Sequence, residues 1–404
     1  MTNKEWYDDN NLNRPGEFEK DCLREKKGSF ISKLFKFILI CLICFIALEI
    51  VVRITGYSER YIYDPIYAPC PGVSSDKIPY IHKPSLLKAR GRGFAKVFTD
   101  SMGLRCDTNQ VTRNLSQKQP GEYRIAVIGD SITFGEGIED YRDTYCAVLE
   151  KNLNNEMQQD LEFKKACAEQ KIKKFTVVNF GVSAYNVNSM LATYLYRVSK
   201  VKPDLVLFSV IFEDWNLDRT PVLDKYGYTN NSSSSKGLLS SPRLKVFLRK
   251  FHSLYLMRDL YRKISSGKDY QKCGYKEIDN GTTREFMEKA MKNGDDFAIT
   301  ILPVYGRCLA LPPKVIVCDS HVFNLQQIGQ NLKRKQFQTS AFDGHPSAMV
   351  HSLIAEELAN KIIVRIIEGQ NLKRPKKMSD LQNEEMKKAY KLLKNSSGTS
   401  IFEL

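Results

Sequence analysis

Serine, histidine and aspartate stand in this chain where a buried sheet would bring them to one edge. Ser131 lies in the run Ile128-Gly129-Asp130-Ser131-Ile132, after the apolar stretch Ile125-Ala126-Val127 and before Thr133-Phe134-Gly135. That turn is too polar and small to continue a strand, so the serine falls at the carboxyl end of a buried strand, where open α/β sheets place their ligands. Far downstream, Asp343-Gly344-His345-Pro346-Ser347 supplies a carboxylate and an imidazole just before an amphipathic run. A hydroxyl, an imidazole and an acid at one rim are the parts of a serine nucleophile system. His351 is the rival base, but its spacing from His345 puts it nearly two turns into the last helix, so it reads as structural.

Other chemistries find less support. The histidines (His82, His252, His321, His345 and His351) show no paired ligand spacing apart from the last two, which fall on different turns, and no metal or cofactor is expected. Asp130 occupies the turn where a phosphate cradle would want glycine and uncharged backbone. The ten cysteines form no zinc pattern. Outside the apolar segment, pairs such as Cys308 with Cys318 are permitted by an oxidising compartment, and burial as small apolar residues is equally compatible with the sequence.

The elements that would hold the three groups follow from apolar runs at Arg124–Ile128, Phe175–Phe180, Leu205–Phe212, Phe297–Val304 and Lys314–Cys318. They are β-branched and nearly continuous, the mark of strands covered on both faces. Between them, Thr144 is placed to cap a helix with Tyr145, Val148, Leu149 and Leu153 on one stripe, and Met190, Leu191, Tyr194, Leu195 and Val198 form a second stripe. Ser347–Ile367 reads as the last helix. The fold class expected is α/β: a three-layer α/β/α sandwich around a mostly parallel five-stranded sheet, flavodoxin-like, preceded by one transmembrane helix.

That helix is the run LFKFILICLICFIALEIVV, Leu34 to Val52. About 19 residues at ~1.5 Å each nearly span a ~30 Å hydrocarbon core. Lys20, Arg24, Lys26, Lys27, Lys33 and Lys36 crowd its leading side, against Arg53 and Arg60 after it. The positive-inside rule then places the N-terminus in the cytoplasm and the rest outside, in a bacterial inner membrane with the domain in the periplasm. A cleaved signal peptide fits less well, because Arg53-Ile54-Thr55-Gly56-Tyr57 offers no small-x-small site. The organisation expected is a polar tail (1–33), the anchor (34–53), a lead-in segment (54–121), the catalytic domain (122–368) and a basic helical tail (369–404) with a helix at Asp380–Leu393. Within the domain, residues 221–295 form an insertion that is either a lid or a helix on the domain's side. A net charge of +15 favours anionic neighbours. Without a zinc finger, an RNP-type aromatic motif or a P-loop, a membrane surface is favoured over nucleic acid.

Over roughly residues 48–366 the chain resembles SGNH (GDSL-type) hydrolases of the N-terminally membrane-anchored subgroup. The resemblance rests on Leu48–Tyr57, Asp100-Ser101-Met102-Gly103-Leu104-Arg105, Tyr123–Gly135, Asn179-Phe180-Gly181-Val182-Ser183-Ala184-Tyr185-Asn186 and Asp343–Ser347. It implies Ser131 as nucleophile, His345 as general base and acid, and Asp343 as the group that orients the imidazole. It further implies an oxyanion hole built from the Ser131 amide, the Gly181 amide and an asparagine side chain. At the asparagine position this chain carries Glu213, within Phe212-Glu213-Asp214-Trp215-Asn216. An ionised carboxylate cannot donate, and one lost donor costs about 2.7–4 kcal/mol. Three resolutions stay open: a protonated Glu213, substitution by Asn186 or Asn216, or a slow or inactive member. The function expected is a membrane-anchored extracytoplasmic serine esterase or deacylase working through an acyl-enzyme. Its substrate would be an acylated glycan, a lipid or a small ester. The alternatives are an O-acyltransferase on envelope glycans or a catalytically impaired glycan-binding module.

Overall fold

The computed structural model describes residues 15–215, 221–231, 241–265, 280–305, 321–340 and 343–368. In chain order its principal elements are helix α1 (Pro15–Ile54), strand β1 (Glu122–Gly129), the single turn α2 (Ser131–Phe134), α3 (Tyr145–Gln159), α4 (Leu161–Glu169), β2 (Lys174–Gly181), α5 (Val187–Tyr196) and β3 (Leu205–Val210). They continue with α6 (Ser253–Ser265), α7 (Asn280–Asn293), β4 (Asp296–Ile301), β5 (Val322–Asn324), the hairpin strands β6 (Gln338–Ser340) and β7 (Asp343–Pro346), and α8 (Ala348–Ile367). These residues fall into two units, one formed by α1 and its exit to Ser58 with Arg249–Arg258, the other by the remainder.

In the larger unit the sheet order is β5-β4-β3-β1-β2 and every pair is parallel. Successive residues of β1 serve opposite cores. Ile125 and Val127 pack with Tyr145 and Leu149 of α3 and Ile354 and Leu358 of α8, while Ala126 and Ile128 pack with Met190 of α5 and Phe286 of α7. Burial on both faces is why these strands are apolar throughout instead of alternating. Strand order reverses at β1, between β2 and β3, so the carboxyl end of β1 lies at the switch point where such sheets bind ligands.

Several expectations shift. The third strand stops at Val210 because the Asp214 carboxylate accepts the Ile211 amide at 2.8 Å and turns the chain into a short 3-10 helix, Phe212–Trp215. The fifth strand of the sheet is Val322–Asn324; Lys314–Cys318 lies outside the described residues, as do Cys308 and the tail with Asp380–Leu393. Helix α7, placed within the 221–295 insertion by the sequence, is a covering helix of the sheet itself, with Phe286 stacked on Phe208 of β3 at 4.3 Å. Thr144 precedes α3, yet its hydroxyl donates to the Tyr141 carbonyl instead of capping. The polar stretch up to residue 33 is helical from Pro15, a residue suited to a first helical turn. Cys70, Cys106, Cys146 and Cys167 are buried free thiols.

The smaller unit is dominated by α1, whose stretch Ser32–Ile54 is long and apolar enough to cross a membrane. Residues 249–258 pack on its C-terminal end. The Glu49 carboxylate accepts the amides of His252 and Ser253 at 2.9 and 2.8 Å, and Arg53 donates to the Lys250 carbonyl at 2.7 Å.

Candidate active site

The site is built on two glycines. Gly129 and Gly181 face each other in register at the ends of β1 and β2, and α2 rests directly on them. A Cβ on Gly129 would meet Thr133 Oγ1 at 2.0 Å, and one on Gly181 would meet the Phe134 amide nitrogen at 2.2 Å. Asn179 of β2 ties the same turn down, donating to the Thr133 carbonyl at 2.7 Å and accepting the Gly181 amide at 2.8 Å. Below it, the buried guanidinium of Arg105 donates to the carbonyls of Phe134, Gly135 and Ile138 at 3.0, 2.6 and 2.8 Å. Asp130 caps α2 by accepting the Ile132 amide at 2.9 Å. Ser131 is thus presented at the head of a turn that is fixed from both sides.

The hairpin β6–β7 brings the other two groups to it. Asp343 and His345 are two apart on one strand, so their side chains share a face. His345 Nε2 lies 2.8 Å from Ser131 Oγ, and His345 Nδ1 lies 2.5 Å from Asp343 Oδ1, which also accepts the His345 amide at 3.1 Å. Three residues distant in sequence meet here in one hydrogen-bonded row.

The surrounding charge is mostly negative. Burial alone would lower the His345 pKa, but the Asp343 hydrogen bond and the carboxylates of Glu136, Asp343 and Asp130 outweigh it and raise it to about 9. Burial pushes Asp130 up. Burial followed by repulsion from Asp130 pushes Asp214 well above the usual carboxylate range. Glu136 is 5% exposed, and its burial is outweighed by Arg92, by His345 and by the Ser183 hydroxyl, so it stays low. Arg92 Nη1 reaches Glu136 at 3.0 Å, and the same guanidinium lies over the Tyr63 ring at 4.6 Å. Neither Glu136 nor Arg92 was singled out by sequence. Glu136 is only five residues past Ser131, and a charged residue inside an otherwise glycine-bearing turn was the available signal.

Of the other candidates, Gly181 has its amide committed to Asn179, so it does not point a free donor at Ser131. Asn186 is the N-cap of α5, accepting the Ser189 amide at 3.0 Å, and it lines a cavity with Cys70, Val73 and Leu191. Glu213 is on the turn after β3, half-buried; Asn216 lies outside the described residues. On the loop after β2, Ala184 holds a φ of 65°, a conformation that costs energy for a side-chain-bearing residue and collects at working sites. His351 is fully buried on α8, where its Nδ1 accepts the Tyr145 amide at 3.0 Å and its ring stacks on Tyr145 at 5.7 Å, so it caps α3. Burial lowers its pKa to about 3. Among the described residues no cluster of histidine, cysteine and acidic groups is arranged to hold a metal ion.

No family model and no curated protein sequence matches this chain. Solved structures do. A lipolytic protein of the G-D-S-L family from Desulfitobacterium hafniense is similar over 59% of this chain and 98% of its own, at 14% identity and a TM-score of 0.28. A lipase from a goat rumen metagenome is similar over 60% of this chain and 99% of its own, at 12% identity and a TM-score of 0.34. An acetylxylan esterase from Geobacillus stearothermophilus is similar over 61% of this chain and 96% of its own, at 15% identity and a TM-score of 0.29.

Proposed function

We propose that this chain is a membrane-anchored serine esterase or deacylase of the SGNH type, acting on ester-linked acyl groups outside the cytoplasm. The observation that carries the reading is the hydrogen-bonded row Ser131 Oγ, His345 Nε2, His345 Nδ1 and Asp343 Oδ1. Ser131 Oγ attacks the acyl carbon while neutral His345 takes its proton, work worth about 10²–10⁴-fold in rate. The imidazolium returns that proton to the departing alcohol, leaving the acyl group on Ser131. Water, deprotonated by His345, then releases the acid and restores the hydroxyl. Asp343 holds the ring in the required tautomer and stabilises its charged form.

Amides are the natural oxyanion donors. Val182 and Tyr185 spend theirs on the Gly129 and Val182 carbonyls, so on the loop after β2 the amides of Ser183 and Ala184 stand beside that of Ser131 as candidates for the role assigned by resemblance to Gly181. The leading-side cations of the Ser32–Ile54 helix orient the chain with the domain outside. Acylated envelope glycans or lipids suit an enzyme held at that surface. A second reading, a non-catalytic glycan-binding module, draws on Glu213, which stands where the resemblance implies an asparagine donor and whose ionised carboxylate would disfavour a developing oxyanion.

Labelling with a fluorophosphonate probe separates the two. The enzyme reading expects labelling of the full chain that disappears in Ser131→Ala; absence of labelling from neutral to alkaline pH refutes it. With labelling established, addition of a sugar acceptor to an ester assay distinguishes hydrolysis from acyl transfer.

A further inference from the structure

Helix α6 is amphipathic in the wrong sense for a protein facing water. Its polar residues Ser253 and Asp259 are 0% and 2% exposed, while Met257, Leu260, Tyr261 and Ile264 are 51%, 50%, 71% and 82% exposed. Those four lie at i, i+3, i+4 and i+7, one stripe of a helix. Asp259 is turned inward because its carboxylate accepts the Tyr61 hydroxyl. A surface helix that buries its acid and exposes isoleucine gains nothing from water.

Charge and attachment identify what covers that stripe. Residues 249–265 carry Arg249, Lys250, Arg258, Arg262 and Lys263 against the single acid Asp259. The start of the helix is fastened to the outer end of α1 by the Glu49 bonds to the His252 and Ser253 amides, and Phe251 packs on Phe45 at 5.7 Å. Glu49 lies between one and two turns before the end of the stretch long enough to cross a membrane, so the segment leading into α6 is attached toward that end of it.

We propose that α6 is an interfacial helix that seats its stripe in an anionic phospholipid surface. The proposal rests on the anchor reading of Ser32–Ile54. Met257, Leu260 and Ile264 enter the acyl boundary by about 5–10 Å, Tyr261 sits at headgroup level, and the net positive charge of the segment is drawn to lipid phosphates. Cations near such a surface are held by its negative potential, so attachment weakens with salt or in neutral lipid.

The test reconstitutes the full chain carrying Ile264→Trp in vesicles of phosphatidylcholine with phosphatidylglycerol, whose acyl chains are brominated near the headgroup. Wild-type fluorescence, from Trp6 and Trp215, is subtracted. The added tryptophan is expected to lose most of its emission, and to lose less in pure phosphatidylcholine or in Leu260→Glu combined with Ile264→Trp. Alkaline carbonate extraction of the same vesicles reports on the anchor: release of the chain overturns the anchor reading. Retention with an unquenched tryptophan overturns the interfacial helix alone. A probe that stays unquenched in lipid yet shifts with protein concentration in detergent identifies a second copy of this chain as the cover, and also overturns it.

Discussion

Replacing Gly181 by alanine isolates the packing on which the row of site residues depends. The new Cβ would stand 2.2 Å from the Phe134 amide nitrogen and 2.6 Å from the Thr133 carbonyl carbon, against the 3.4 Å at which ordinary contact begins. Both atoms are backbone, so no side chain can swing aside. The turn α2 must lift from the strand ends by about 1.2 Å, carrying Ser131 away from His345. Misplacement of reacting groups by about 1 Å costs about 10²-fold, and overpacking of this kind costs about 1–3 kcal/mol of stability. The assay is the second-order rate of fluorophosphonate labelling with a thermal melt on the same sample. Expected are a rate lower by about two orders of magnitude and a midpoint lower by several degrees. Gly344→Ala is the control: its Cβ would meet only Gln338 Nε2 at 3.7 Å, so labelling and melting should stay close to wild type although the change lies between Asp343 and His345. Wild-type labelling and melting in Gly181→Ala would refute the close-approach argument, since alanine keeps the amide and changes only the volume.

With His345 at about 9, labelling and turnover should climb through the alkaline range instead of levelling near neutral. Glu136→Gln should move that midpoint down and Arg92→Gln should move it up; shifts of the same sign in both would remove electrostatics as the cause. His351 titrates at about 3 in the fold and near 6.5 when unfolded, so between those values the unfolded chain binds the extra proton. Stability is therefore lost as pH falls below about 6.5, by up to about 1.4 kcal/mol per unit. Urea melts of His351→Gln, which keeps an acceptor for the Tyr145 amide, should show that slope reduced, and an unchanged slope would exclude His351. Glu213→Asn should raise ester turnover, by as much as about 10²–10³-fold if it completes an oxyanion hole; an equal or lower rate would place Glu213 away from the reacting oxygen.

Four of the five strands were readable because strands covered on both faces must be apolar at every position, and Ile125, Val177, Leu207 and Ile299 obey that rule. Val322–Asn324 went unread because it is three residues long and ends in a polar one, so no apolar run announces it; the expected Lys314–Cys318 lies outside the described residues. Ser131, Asp343 and His345 were legible because each stands beside an element boundary with strong local punctuation. Their supports were not. Arg105 and Arg92 reach the site from the lead-in segment through contacts at separations of about thirty to forty-five residues, which no local pattern encodes. Asn186 carried two readings for a physical reason: asparagine at a loop end is as well suited to cap a helix as to donate to a ligand, and here its Oδ1 caps α5.

In the proposed esterase, those unannounced residues bear on when the serine would be reactive. With the imidazole held at about 9, its charged form dominates at neutral pH, and both ring nitrogens then donate: Nδ1 to Asp343 and Nε2 to Ser131 Oγ. The serine hydrogen must turn elsewhere, and Asp130 Oδ2 at 3.2 Å accepts it. In that arrangement Ser131 is held but not activated, because nothing is free to take its proton. Activation requires loss of one proton from His345, and the ease of that loss depends on how much negative charge the ring feels. Asp343 cannot be reduced without losing the tautomer, and Asp130 is fixed by its cap on α2. Glu136 is the adjustable contributor, since its partner Arg92 is only half-covered, with 46% of the side chain exposed. Drawing Arg92 tighter onto Glu136 cancels charge and frees the base; a substrate anion that pulls Arg92 away does the reverse. The pair outside the hydrogen-bonded row therefore adjusts the basicity that Asp343 first raises, through a contact that the sequence leaves hidden.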